Sequence, residues 1–159
     1  MNTIDVPYSK SEVHRDIAFA WRAQQAGRID ELNDEFRILA VVLAEHPEWV
    51  HLWEATVNDT VGDSIVTSEG VDPFMRVTTE AAGELMIQVH PNGRLAYQHL
   101  RSEGWTHKAA RAEIIEAQLG VFLAVHMPDF NGKRVTDLDA VFKRIRSGES
   151  TEDIFAIEE

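Results

Sequence analysis

Cysteine is absent from this chain of 159 residues, which rules out disulfides, thiolate metal ligands and a cysteine nucleophile together. That absence favours a reducing compartment, so a cytoplasmic protein is expected. No run approaches the roughly eighteen apolar residues that a membrane-spanning helix needs. The opening residues, Met1 to Pro7, lack the basic stretch and apolar run of a secretory signal, and none is expected. Positive charge is scarce too. Fifteen Lys and Arg stand against 27 Asp and Glu, a formal charge of −12, and acids outnumber bases in residues 1–60, 61–125 and 126–159 alike. A broad positive face for phosphate backbones is therefore missing, and neither nucleic acid nor a membrane is an expected partner.

What is present suits a packed globule. Apolar residues make up 44% of the chain, with four Trp and seven Phe, and this length buries about two-thirds of the unfolded surface in one domain. The few prolines and glycines act mainly as helix punctuation. Ser9-Lys10-Ser11-Glu12 has the form of a capping box, with Val13, Ile17, Ala20 and Trp21 following at helical spacing and Gly27 closing the segment. Asp30 and Glu31 open a second helix with Leu32, Phe36, Leu39, Ala40 and Leu43 as its stripe, ending near Glu45 before Pro47. Pro47 starts a short third helix to Val57, and Asn58 to Gly70 reads as a loop.

Asp72-Pro73 is a strong start signal for a helix to about Val89. His90-Pro91-Asn92-Gly93 reads as a tight turn, then a helix runs from Arg94 to Glu103 and stops at Gly104. Thr106 caps a long helix to about His126, Pro128 and Asn131-Gly132 form a loop, and a last helix spans Thr136 or Asp137 to Arg146. About seven helices joined by short loops predict an all-α, orthogonal or bundle-like single domain over residues 1–148. Residues 149–159 form an acidic C-terminal tail that nevertheless carries Ile154, Phe155 and Ile157, and it is expected either to stay loose or to dock.

Projected at 100° per residue, the long helix places Ile114, Ile115, Val121, Phe122 and Val125 on one arc, and His107 and Arg111 share it. On the helix from Pro73, Arg76, Glu80 and Glu84 form a polar row apart from the core face of Phe74, Val77, Ala81 and Leu85. Glu80 and Glu84 are four apart, a like-charge contact costing a few tenths of a kcal/mol unless a cation is near. Glu80, Glu84, His107 and Arg111 are thus the candidate polar cluster. Glu80, Glu84 and His107 would be the only metal ligands, in a site built between facing helices, but the paired Glu-x-x-His motifs of di-iron bundles are missing. No metal or other cofactor is called for, and no nucleophile elbow or phosphate-cradling glycine loop occurs. His46, His51, His90 and His126 fall near helix ends, where hydrogen-bonding side chains are common.

Glu45-His46-Pro47-Glu48-Trp49, Asp72-Pro73-Phe74 and Gly104-Trp105-Thr106-His107-Lys108-Ala109, with Ile114 and Leu119 beyond, resemble the bacterial domain-of-unknown-function family 1841 over residues 37–125. The resemblance implies an all-α bacterial cytoplasmic protein and carries no reaction with it. Members typically bear two histidine pairs spaced four apart. Here the first pair falls on Met75 and Thr79, while the second keeps only His107, with Lys108 in the acidic place and Arg111 in that of the second histidine. Three of four ligands are missing, and Arg111 would replace an ion's charge by a guanidinium facing Glu80 or Glu84.

The reading that follows is a small non-enzymatic helical module that binds a protein partner or itself, a homodimer being the expected assembly. Trp49, Trp53 and Phe155 are candidate interface anchors, with core packing as the alternative for the two tryptophans. The other functional reading is a divalent-metal-dependent enzyme using Glu80, Glu84 and His107.

Overall fold

A computed structural model describes residues 10–61, 70–127 and 135–156. The expected cap at Ser9, most of the loop before Gly70, the loop at Asn131-Gly132 and Ile157 lie outside them. Among the described residues there are eight α-helices and two single-turn 3-10 segments, and no strand. They are α1 (Lys10–Gln25), α2 (Asp34–Ala44), α3 (Val50–Val57), α4 (Pro73–Val89), α5 (Pro91–Ser102), α6 (His107–His126), α7 (Leu138–Arg146) and α8 (Thr151–Ile154). The all-α class holds, and no described helix is long and apolar enough to cross a membrane.

The chain divides into two compact units, Met1–Ala81 and Ala82–Glu159, and the boundary falls inside α4. In the first, α1 packs on α2 and α3. Its core joins Ile17, Ala20 and Trp21 of α1 to Ile38, Val42 and Leu43 of α2, Trp53 of α3, and Phe74 and Val77 of α4. Trp53 is fully buried and its indole N–H donates to the Leu43 carbonyl at 3.2 Å, so its one polar atom is satisfied inside the core. The second unit packs α5 against α7 and α6, with α8 lying on α6 and α7. Ile87, Leu100, Ile114, Val141, Phe142, Ile145 and Ile154 fill its centre.

Local chemistry accounts for the helix starts. Asp72 Oδ1 accepts from the Phe74 amide at 2.9 Å, Thr106 caps α6 through the Ala109 amide, and Asp137 caps α7 through that of Asp139. Two expectations need correction. The second helix begins at Asp34, not Asp30, because Asn33 accepts from the Phe36 amide at 3.0 Å, while Ile29–Glu31 make a 3-10 turn. The segment at His90 is no separate turn: Pro91 to Gly93 are the first turn of α5, and His90 caps it by accepting from the Gly93 amide through Nδ1 at 3.2 Å. An α-carbon substituent at Gly93 would come within 2.8 Å of the Met86 carbonyl, so glycine there serves close packing and not turn geometry.

The tail takes the docked one of its two expected arrangements over its described residues. Ser150 caps α8 by accepting from the Asp153 amide, Ile154 is fully buried, and the Phe155 ring seats on Gly120 of α6, where a Cβ would meet it at 2.4 Å. Ile154 is therefore part of the second unit's core with Phe155 packed against it, while Glu152 and Asp153 stay exposed. Glu113 fixes the same junction by accepting from the Thr151 amide at 2.5 Å.

Candidate functional site

The polar row of α4 is shared between the units, Glu80 falling in the first and Glu84 in the second. In the first unit Glu80, with its side chain only 6% exposed, lies 2.7 Å from His46 Nε2 through one oxygen and accepts from Arg76 Nε at 2.6 Å through the other. His46 Nδ1 lies 3.0 Å from Glu48, so a ring protonated on both nitrogens donates to a carboxylate on each side. The Glu48 carboxyl is held below its ordinary range, first by a backbone hydrogen bond and then by His46. Trp49 stacks on the His46 ring at 4.6 Å and 15°.

In the second unit Glu84 Oε1 receives two cationic or donor groups, Arg111 Nη1 at 3.1 Å and His107 Nε2 at 2.8 Å. The Arg111 and Glu84 side chains are 8% and 12% exposed, whereas that of His107 is 48% exposed. The Tyr97 hydroxyl lies 2.8 Å from His107 Nδ1. One proton arrangement serves all three: Tyr97 O–H donates to Nδ1, and Nε2–H donates to Glu84. The α4 backbone can approach α6 this closely because Gly83 has no side chain. A Cβ there would lie 2.6 Å from Ile115 and 3.5 Å from the Arg111 stem.

The four residues singled out from sequence are thus all engaged in ion pairs or hydrogen bonds to a carboxylate, with His107 and Arg111 gathered around that of Glu84. The like-charge cost between Glu80 and Glu84 is offset because each has cations of its own. His46 and Tyr97 are the members that sequence reasoning missed. His46 was visible as a polar residue near a helix end and within the Glu45–Trp49 motif but not as a partner of Glu80, while Tyr97 reaches His107 across the turn that closes at Gly104.

Among the described residues no group of three or more His, Cys, Asp or Glu is arranged to hold a metal ion. At Glu84 the guanidinium already supplies the positive charge, and placing a divalent cation beside it would bring like charges together. Of the expected interface anchors, Trp53 belongs to the core, which removes it from any docking surface, and Phe155 is seated on Gly120. Trp49 is half-buried against His46.

The apolar arc read on the long helix is not buried along its whole length. Ile114 is fully buried, but Leu119, Phe122 and Val125 in the last turns of α6 are 44%, 37% and 51% exposed. The unit's core lies under the first half of α6, and α8 takes the Gly120 side of the second. None of the known protein families, curated proteins or solved structures compared with the chain matches it.

Proposed function

We propose that the chain is a non-catalytic helical module that pairs with a second copy of itself through the exposed end of α6. The observation that carries this reading is the exposure of Leu119, Phe122 and Val125 on one short stretch, from Ala117 to Val125, that contains no charged residue. Neighbouring apolar side chains left in water favour association. An uncharged apolar face is complementary to itself, which suits the two-fold symmetric pairing commonest among oligomers. Each copy carries −12, but at physiological salt charges more than about 8 Å apart are largely screened.

The ion pairs agree with a structural role. Glu84, His107 and Arg111 join α4 to α6, and Glu80 joins α4 to His46 between α2 and the 3-10 turn at Pro47. Membership of the family resembled over residues 37–125 and a bacterial cytoplasmic setting belong to the same reading, supported by the quoted motifs and by the absence of cysteine. So does the bundle-like packing of short helices.

Light scattering on the full chain and on a Leu119→Lys, Phe122→Lys variant tests the proposal. Pairing through α6 predicts twice the 18.0 kDa chain mass for the parent and the monomer mass for the variant. It also predicts more dimer as salt rises, because repulsion between acidic copies is screened while apolar burial is not. A basic partner protein would show the opposite salt dependence.

A further inference from the structure

The second unit holds a cleft of about 370 Å³ between the end of α5, the middle of α6 and the loop from α7 to α8. Its size is in the range of small-ligand sites. Leu100 and Ile145, both buried, give it an apolar floor, and Trp105 supplies an exposed aromatic wall. Two of its three carboxylates are already used: Glu113 accepts from the Thr151 amide and Glu149 is paired with Arg144 at 2.7 Å. Glu103 and Arg146 also line it, and among the described residues neither makes an ion pair or a side-chain hydrogen bond. Opposite charges that share a small cleft without pairing to each other leave a donor and an acceptor set for a third body.

We infer that this cleft binds a small zwitterion, with an ammonium directed to Glu103, a carboxylate directed to Arg146, and an apolar body over Trp105 and the Leu100–Ile145 floor. A guanidinium suits a carboxylate because its planar N–H groups match the two oxygens. A ligand with one charge leaves the opposite partner unused, so both charges are required for full affinity. Because Glu103 and Arg146 are exposed, the affinity is modest, in the millimolar range typical of about −4 kcal/mol.

Trp105 is the one tryptophan in Ala82–Glu159, so its indole N–H resonance reports on the cleft, identified by its loss in Trp105→Phe. The probes are 6-aminohexanoate, hexylamine and hexanoate, titrated into the full chain. Saturable movement of that resonance by 6-aminohexanoate is expected, with each single-charge analogue binding at least about threefold more weakly. Glu103→Gln should erase the advantage over hexanoate, and Arg146→Gln the advantage over hexylamine. Both positions are exposed and outside the core, and the wild-type comparison of the three probes stands without them. No saturable shift with 6-aminohexanoate, equal binding of all three, or either variant retaining the full advantage would overturn the inference.

Discussion

Removing either side of the Glu84–Arg111 pair should reveal a coupling that surface ion pairs lack. The charged atoms are 3.1 Å apart on side chains 12% and 8% exposed. Coulomb's law at an effective dielectric of about 20 gives roughly 5 kcal/mol at that distance, most of it offset by the cost of taking both charges from water. Stranding one buried charge costs about 3 to 5 kcal/mol in general. Here the half-exposed His107 stays 2.8 Å from Glu84 Oε1, so Arg111→Met should cost less, about 2 to 3 kcal/mol. Methionine keeps the stem beside Gly83 and isolates the charge. Glu84→Gln should also destabilise by removing the carboxylate beside the buried guanidinium, while the double variant should be destabilised by less than the sum. The expected coupling is about 2 kcal/mol, read from denaturant unfolding monitored at Trp105. A value below about 0.5 kcal/mol would place the pair among solvated surface contacts and refute the argument from burial.

The tail gives a second test: Gly120→Ala and Phe155→Ala should each undock residues 149–156, and the double variant should be no worse than the worse single one, since both remove the same contact. Limited proteolysis near Glu149 measures the release, and unchanged resistance in Gly120→Ala would count against the docking. Trp53→Ala should cost about 3 to 5 kcal/mol by emptying the first unit's core, whereas half-buried Trp49→Ala should cost clearly less; equal costs by thermal unfolding would contradict their different burial. Burial raises the Asp16 carboxyl above its ordinary value, outweighing the opposing effect of Arg15. A raised folded-state value gives stability that is present at low pH and lost as pH rises through it. Asp16→Asn should therefore be at least as stable as the parent at neutral pH, the difference vanishing below the carboxylate range. A less stable variant at pH about 7 would reverse the sign of that argument.

Much of the fold was legible because its signals are local. Asp72-Pro73 placed the start of α4 and Thr106 that of α6, since a cap and its amide partner lie within three residues. Asn33 and His90 were missed because any nearby polar side chain competes for the same role, and only the backbone geometry shows which one accepts. The α8 turn was hidden by its composition: Glu152 and Asp153 read as solvated tail, while Ile154 and Phe155 find their partners on distant α6 and α7. Helical projection brought Arg111 and His107 to one face but could not name Tyr97, whose approach depends on the turn at Gly104. It also assumed that a helix keeps one buried face throughout, whereas the core ends before Phe122 and Val125. The division inside α4 has no linker composition to mark it.

Self-association through α6 is most directly tested by light scattering of the parent chain at about 50 and about 500 mM salt, where screening lengths differ roughly threefold. The account predicts a mass near twice 18.0 kDa whose dimer fraction grows with salt, and a monomer at both concentrations for the Leu119→Lys, Phe122→Lys variant. A parent chain that remains at the monomer mass at both salts, or a variant that dimerises as the parent does, would contradict it.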